Sequence, residues 1–512
     1  MDTKPNNRRT YNRDRSNVRS RAKLNVAEGT VRDSGSILDA GRSAAYGPSN
    51  EADEQPSGES VFASIPKKPN PLRAFLNAWF DRLVGAVSEG NLSGQDEEYA
   101  SGRTSRDFVW NTAGFAAWGM VFPFLTIVVT WLAGVERAGM FSFAFVVANL
   151  LYILASYGVR TYQVSDIDEF HSFADYQANR LATCLVMLVV GFIICNVLGY
   201  EGEMFTMSMG VFAFKALDAF GEVYEGRLQQ ADKLYLGGIS LVLRSGAAFL
   251  LFSVLLAITN DLGIAALAMA IAAACTLVFV TIPLTMFETP KSSPLNIHSV
   301  QLLFKDCFPV FLALFLYAVV DNMPKFVMQG ASLPYDNQLY FNALYFPAQA
   351  ILITVGMIYK PMLVKLANVW ADESRRTRFD LVIIAMMVII VGITVVGVLF
   401  MNWVGIPIMS FMYGLDFEPY KQLSFIMLAA GGVTAAIDFL YQIITILRRQ
   451  QVVLGLYLIT FGFSLLVLIL MTTMMKLEGA VVGYLIVMSI LLILLVREYV
   501  TQRLKFSKGG RR

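Results

Sequence analysis

The chain has 512 residues, of which 56% are hydrophobic and only 16% are charged, and its formal net charge is +2. Soluble domains carry about 25% charged residues, so this composition excludes an ordinary soluble protein and indicates a polytopic membrane protein. The four cysteines lie in or beside apolar segments and the two histidines lie far apart in polar connections, which argues against a disulfide framework, a zinc site or a histidine-based catalytic relay.

The N-terminal residues 1–70 are polar and contain no apolar run. They therefore hold no secretory signal peptide and are predicted to form a disordered, basic cytoplasmic tail. Met1–Lys23 has eight Lys and Arg residues against Asp2 and Asp14. This excess of positive charge would attract anionic lipids at the membrane surface. A solvated tail without a partner is the alternative.

An amphipathic helix is predicted over residues 71–88. Apolar side chains recur there at the spacing of one helix face, from Leu72 through Trp79 to Val87, while Arg73 lies on the other face. The segment is too short and too polar to span a bilayer, so we expect it to lie in the cytoplasmic membrane interface. Packing against another protein is the competing interpretation.

Twelve segments from residue 108 onward are long and apolar enough to cross a bilayer. Lys and Arg concentrate in alternate connections, and the positive-inside rule makes those connections and both termini cytoplasmic. The predicted spans are Phe108–Leu132, Gly139–Gly158, Ala178–Leu198, Met204–Val223, Tyr235–Ile258, Leu262–Phe287, Cys307–Met328, Leu339–Tyr359, Phe379–Met401, Leu423–Leu447, Val452–Thr473 and Leu477–Val496.

The polar connection at residues 288–306 divides the spans evenly. It separates an N-terminal lobe at 108–287 from a C-terminal lobe at 307–498, which a basic cytoplasmic C-terminus at 499–512 follows. Two lobes that start on the same side would be parallel repeats. The predicted fold class is therefore all-α, a polytopic membrane protein with twelve transmembrane helices in two six-helix lobes, preceded by a disordered tail.

Ionisable side chains inside the predicted spans are the main functional signal, because a charge at the bilayer centre costs roughly 2.5–3.5 kcal/mol on insertion scales. They fall on four helices drawn from both lobes. The predicted contacts of an anionic head group such as a diphosphate are Lys215, Arg244, Lys325 and Asn322. The side chains predicted to balance these charges, or to carry a coupling Na⁺ or H⁺, are Asp218, Glu222, Asp321 and Asp438.

The turn Asp321–Lys325 of the seventh span holds two opposite charges at the i,i+4 spacing, beside Pro324. This spacing lets the two side chains neutralise each other. Two interpretations stay open, a structural ion pair that fixes helices together and the lining of a translocation cavity. We expect the turn to lie in the outer part of that lining, with the deepest substrate contacts at Lys215 and Arg244.

Four regions of the chain form a recognisable series: Gly158–Ile167 with Phe173–Arg180, Leu302–Phe311, Asp321–Phe326 and Ile408–Tyr420. Together they resemble bacterial polysaccharide (O-antigen, capsule and exopolysaccharide) flippases of the MOP (multidrug/oligosaccharidyl-lipid/polysaccharide) superfamily. The Asp-Asn-Met-Pro-Lys-Phe stretch is similar to an Asn-x-Pro-Lys-Tyr segment of their seventh helix. Phe326 replaces the tyrosine and so lacks its hydroxyl.

The resemblance implies two six-helix lobes around a central cavity. It also implies alternating access that carries an undecaprenyl-diphosphate-linked oligosaccharide across the inner membrane for surface polysaccharide biosynthesis. Polysaccharide assembly proteins would then be partners, whereas no nucleic acid, cofactor or enzymatic activity is expected. The alternatives are a cation-coupled multidrug antiporter of the same superfamily, which favours acidic cavities, and a polysaccharide polymerase or ligase, which generally needs a larger outward loop.

Overall fold

The computed structural model describes residues 103–166, 169–363, 366, 370, 376–447 and 450–509, and every regular element in these ranges is helical. The predicted tail at 1–70 and the predicted amphipathic helix at 71–88 lie outside them. The helices are α1 (Arg103–Ala133), α2 (Val135–Ser156), α3 (Val159–Ser165), α4 (Phe173–Val197), α5 (Gly202–Gln230), α6 (Leu234–Thr259), α7 (Leu262–Thr276), α8 (Ile282–Glu288), α9 (Ile297–Gly330), α10 (Asp336–Tyr359), α11 (Arg376–Phe400), α12 (Ile406–Tyr413), α13 (Lys421–Ile446) and α14 (Gln450–Gly509).

Ten helical segments within these described ranges are long and apolar enough to cross a membrane. The helix α5 is not among them, because charged side chains such as Lys215 and Asp218 interrupt its apolar run. The helix α14 counts once, although Lys476, with φ 50° and ψ −124°, divides it into two spans. With α5 added and α14 counted twice, the twelve predicted transmembrane helices are present. The all-α, polytopic prediction is therefore confirmed.

Several helices extend further than the apolar runs that predicted them. The helix α11 continues through Met401–Gly405 into α12, beyond its predicted end at Met401, whereas α7, the π-helical turn Leu277–Thr281 and α8 together match the predicted sixth span. The helix α9 begins ten residues before the predicted seventh span, and α14 stays helical to Gly509. The added residues of α9 and α14 are rich in polar side chains, whereas those of α11 and α12 are mostly apolar. A run of about twenty apolar residues reflects the thickness of the bilayer and not the full length of the helix.

The helices pack in two groups. In the N-terminal group α1 packs on α6, and α7 packs on both α5 and α6; in the C-terminal group α14 packs on α9 and α13, and α13 packs on α10. Small residues allow the closest approaches, as membrane helices require. A Cβ on Gly238 of α6, for example, would lie 2.2 Å from the carbonyl oxygen of Trp110 on α1. The helix α2 joins the groups by packing on α9 and α10.

The connections between spans alternate between two ends of the bundle. We call the end that contains residues 157–166, 169–172 and 289–296 the basic end, where Arg227 pairs with Glu169 at 2.7 Å. We call the opposite end the far end. There Arg137 pairs with Glu203 and so ties the start of α2 to the start of α5.

Candidate functional site

A buried ion-pair cluster joins α5 to α6. Arg244 on α6 lies between two carboxylates of α5, with Nη2 3.0 Å from Asp218 Oδ1 and 2.7 Å from Glu225 Oε1. The Nε of Arg244 also donates a hydrogen bond to Asp218 Oδ1 at 3.0 Å. Gly221 makes room for this guanidinium, because a Cβ there would lie 2.5 Å from Nη1. With Arg244 only 1% exposed, the predicted substrate contact is sealed between two helices.

Lys215 lies on α5 at the end of the same cluster that is farther from the basic end. Its Nζ is 3.8 Å from Asp218 Oδ2 and lies 4.6 Å, 5.1 Å and 5.5 Å from the ring centroids of Trp118, Phe145 and Tyr152. Trp118 of α1 also donates its indole N–H to Asp218 Oδ2. The ion pair and the cation–π contacts together replace the water that the buried ammonium has lost.

The cluster continues toward the basic end through two arginines. Glu222 Oε2 lies 3.2 Å from Nη1 of Arg180 on α4, and Glu222 Oε1 lies 3.6 Å from Nη1 of Arg160 on α3. Arg160 also approaches Glu225 at 3.8 Å. The complete chain of alternating charges is Lys215, Asp218, Arg244, Glu225, Arg160, Glu222 and Arg180. Four basic and three acidic groups leave one positive charge in excess if all are ionised.

The charges of α9 are held in a different way. Both oxygens of Asp321 accept hydrogen bonds from phenols, Tyr345 O–H on α10 and Tyr484 O–H on α14, each at 2.6 Å. Lys325 Nζ instead donates to Asn322 Oδ1 at 2.9 Å and lies 4.2 Å from the ring centroid of Tyr345. The i,i+4 spacing allows a direct ion pair, but the hydrogen bonds of Asp321 and Lys325 go to other partners. The tyrosines from two other helices occupy the carboxylate, so the i,i+4 spacing permits the ion pair without enforcing it.

Asp438 on α13 is a second carboxylate held by a phenol. Tyr359, the last residue of α10, donates its O–H to Asp438 Oδ2. Tyr441 and Gln442 lie one turn further along the same helix and are the local candidates for this role. A residue from another helix takes that role instead, since side chains of one transmembrane helix compete with those packed against it.

The structure thus brings Lys215, Asp218, Glu222 and Arg244 into one cluster and Asp321 and Lys325 into another. The sequence missed several partners, which are Trp118, Arg160, Arg180, Glu225, Tyr345, Tyr359 and Tyr484. Glu225 had a signal, because it continues the face that Asp218 and Glu222 begin. The arginines were counted as residues of polar connections, and the tyrosines resembled ordinary residues of an apolar span.

No family model and no curated protein sequence matches this chain. Solved structures match its fold. An outward-facing multidrug resistance MATE family transporter of the MOP superfamily has a TM-score of 0.52 and 15% identity over 79% of this chain and 96% of that chain. An inward-facing one has a TM-score of 0.54 and 14% identity over 78% and 99% of the two chains.

A third structure, the eukaryotic MATE transporter AtDTX14, has a TM-score of 0.51 and 14% identity over 78% of this chain and 95% of that chain. The match extends over nearly the whole length of each of these transporters and over about four fifths of this chain. Inward-facing and outward-facing forms match almost equally well, so the likeness is one of fold. The described helices of this multi-pass membrane protein therefore have a MATE-like fold.

Proposed function

We propose that this protein is a transporter that works by alternating access. Its proposed substrate is an undecaprenyl-diphosphate-linked oligosaccharide, flipped across the inner membrane for surface polysaccharide biosynthesis. The MATE-like fold supports the transporter class. The order of motifs from Gly158 to Tyr420 supports the lipid-linked substrate. The basic end and both termini would face the cytoplasm, where the tail at 1–70 would meet anionic lipids and assembly proteins.

Lys325 carries the proposal of an anionic substrate. Lys325 is only 2% exposed, yet the hydrogen bond of its ammonium group goes to the neutral side-chain amide of Asn322. Among the described residues, no carboxylate lies within 4.0 Å of its ammonium. A buried ammonium with no carboxylate in direct contact is expensive, so an anion that enters the site would gain a strong partner. A diphosphate supplies that charge and several acceptor oxygens.

The ion-pair cluster that joins α5 to α6 would help to bind an anionic substrate through its excess positive charge. The contact between Lys215 and Asp218 is the longer of the two ion pairs that Asp218 makes, at 3.8 Å against 3.0 Å for Arg244. Lys215 is therefore the member that exchanges its carboxylate for a phosphate most easily. Arg244 and Glu222 would keep the helices in place while this exchange occurs.

Asp321 and Asp438 are the proposed coupling groups. Both carboxylates accept hydrogen bonds from tyrosine hydroxyls, and neither forms an ion pair within the described residues. Either carboxylate can bind H⁺ or Na⁺ without first releasing a basic side chain. Binding and release of such an ion would link substrate movement to an ion gradient.

The proposal is tested with Lys325→Met in proteoliposomes that contain fluorescent undecaprenyl-diphosphate oligosaccharide. A charge-assisted hydrogen bond contributes about 1.5–3 kcal/mol, so flipping should fall by roughly ten- to hundredfold while the protein still inserts. The matched control is Lys421→Met, which removes an exposed ion pair with Glu418 at 3.0 Å and should leave flipping unchanged. Wild-type flipping by Lys325→Met would contradict the proposed role of this lysine.

A cation-coupled multidrug antiporter is the second candidate. The aromatic side chains around Asp321 and Asp438 favour this function. Among them, the rings of Tyr317 and Tyr457 lie 5.5 Å apart. Aromatic faces and an uncompensated carboxylate suit a cationic drug. In that case Lys325→Met would preserve or increase efflux of a cationic dye, whereas Asp321→Asn would abolish it.

A further inference from the structure

Arg244 shows how this chain uses one edge of a buried guanidinium. The Nε and Nη2 groups of an arginine lie on the same edge and form a fork that binds a carboxylate or another anion through parallel hydrogen bonds. In Arg244 this fork is occupied, since Nε donates to Asp218 Oδ1 at 3.0 Å and Nη2 lies 2.7 Å from Glu225 Oε1. In Arg503, too, Nε donates to a carboxylate, Asp380 Oδ2, at 2.8 Å.

Arg180 on α4 has the same fork without a partner. Its side chain is fully buried, and among the described residues neither Nε nor Nη2 has a hydrogen-bond partner. The third nitrogen, Nη1, is occupied, because it donates to the carbonyl oxygen of Ala155 at 3.1 Å and lies 3.2 Å from Glu222 Oε2. Both of these partners bind through Nη1, so they leave the Nε and Nη2 donors available to a ligand.

The residue before Arg180 is a second buried polar group without a partner. Asn179 is fully buried, and within the part of the chain that the structure describes neither its Nδ2 nor its Oδ1 forms a hydrogen bond. Buried polar groups in proteins are nearly always hydrogen-bonded, because leaving them unpaired is costly. Unpaired donors on two consecutive residues of α4 therefore indicate a place where a polar ligand would be bound.

The excess positive charge of the ion-pair cluster lies at the same place. The four members of the cluster from Lys215 to Glu225 are two basic and two acidic groups, which balance each other. The three remaining members are Arg160, Glu222 and Arg180, so two guanidinium groups share one carboxylate. One monovalent anion beside Arg180 would neutralise this end of the cluster.

We propose that the fork of Arg180 binds one small monovalent inorganic anion, such as chloride, where the end of α2 meets α4 and α5. Because Arg180 has no exposed surface, the ligand has to be small, which excludes an oligosaccharide and a head group attached to a lipid. Glu222 repels an anion, but Arg160 lies 3.6 Å from that carboxylate and offsets its charge. The inference is independent of the proposed function, since the anion serves as a counter-ion of the cluster while no substrate is bound.

Thermal unfolding in detergent tests the anion site without a transport assay. At constant sodium concentration and ionic strength, replacing gluconate by chloride or nitrate should raise the Tm of the wild type until the site is saturated, because a ligand that binds only the folded state stabilises it. Arg180→Gln should abolish this saturable rise. Arg503→Gln is the matched control, since Arg503 is partly exposed and already bound to Asp380, and it should keep the rise. No saturable rise in the wild type, or an equal rise in Arg180→Gln, overturns the proposal.

Crystals of the wild type grown in bromide give a second measurement that does not depend on the folding of a variant. We expect an anomalous-scattering peak beside Nε and Nη2 of Arg180. Bromide found only elsewhere on the protein is an adventitious ion only and overturns the proposal. A rise in Tm with undecaprenyl diphosphate but not with chloride or nitrate overturns it as well, because the fork would then belong to the substrate site. Failure of the wild type to flip the labelled lipid contradicts the proposed function alone, since neither measurement uses transport.

Discussion

The two helix groups bury their charges by opposite means. In the N-terminal group each carboxylate of the α5 cluster has a cationic partner, as Asp218 and Glu225 have Arg244. In the C-terminal group Asp321 is held by two neutral phenols, and Lys325 is held by an amide and a ring. A carboxylate that already contacts a buried cation has to lose that partner before it can bind another ion. A charged side chain that contacts only neutral groups, such as Asp321 or Lys325, can bind or release an ion or a ligand without that cost. The ion pairs of Arg244 thus form a scaffold in the N-terminal group, and Asp321 and Lys325 form a responsive site in the C-terminal group.

The largest effect on stability is expected from a substitution of Arg244. Arg244→Leu leaves Asp218 and Glu225 buried without their main cation, and breaking a buried ion pair from one side costs about 3–5 kcal/mol. Thermal unfolding in detergent should show a large fall in Tm. The control is Arg503→Leu, since Arg503 pairs with Asp380 and both side chains are partly exposed, which predicts a loss below about 1 kcal/mol. Equal losses in the two variants would remove the scaffold role.

A substitution of Asp321 probes the responsive group. Asp321→Asn keeps an oxygen that can accept from Tyr345 and Tyr484, so the free energy of unfolding should change by only about 1–2 kcal/mol. Stimulation of transport by a Na⁺ or proton gradient should disappear, because the amide cannot bind either ion as the carboxylate does. The measurement is flipping in proteoliposomes with and without each gradient. Retained stimulation by the same ion would move the coupling role to Asp438.

The smallest effect concerns the contact of α1 with the cluster. Trp118→Phe keeps an aromatic face near Lys215 but removes the N–H that donates to Asp218. A hydrogen bond to a charged group contributes about 1.5–3 kcal/mol, but Arg244 and Lys215 still approach Asp218 in this variant, so the Tm should fall only slightly. Trp131→Phe is the matched control, because the indole N–H of Trp131 donates to Met412 O in an exposed position. A larger fall in the control would show that the indole bond to Asp218 adds nothing to the cluster.

Much of the architecture was predictable from the chain alone. Each crossing of a bilayer needs about twenty apolar residues, so the spans are written in continuous segments of sequence. The exceptions have a local cause. The helix α5 is less apolar because it carries the charge cluster, and α9 begins in polar residues because its first turns pack beside the basic end and on α3.

The candidate sites were predictable only as positions. Charges such as Lys215 and Asp438 are conspicuous in an apolar span, because their burial is costly. Their partners are not conspicuous, since Tyr359 and Trp118 are common residues of membrane helices. Arg180 lies at the polar start of its predicted span, yet its side chain is fully buried and donates to the carbonyl oxygen of Ala155 at 3.1 Å.

The sequence by itself thus determined the number of transmembrane helices and the helices that carry charge, because both follow from the cost of placing polar groups in a bilayer. The tertiary structure alone decided which charges pair. Asp321 and Lys325 are four residues apart, yet Asp321 binds tyrosines 24 and 163 residues away. The spacing along one helix determines which side chains can come into contact. The packing of several helices determines which donors form hydrogen bonds with a buried carboxylate.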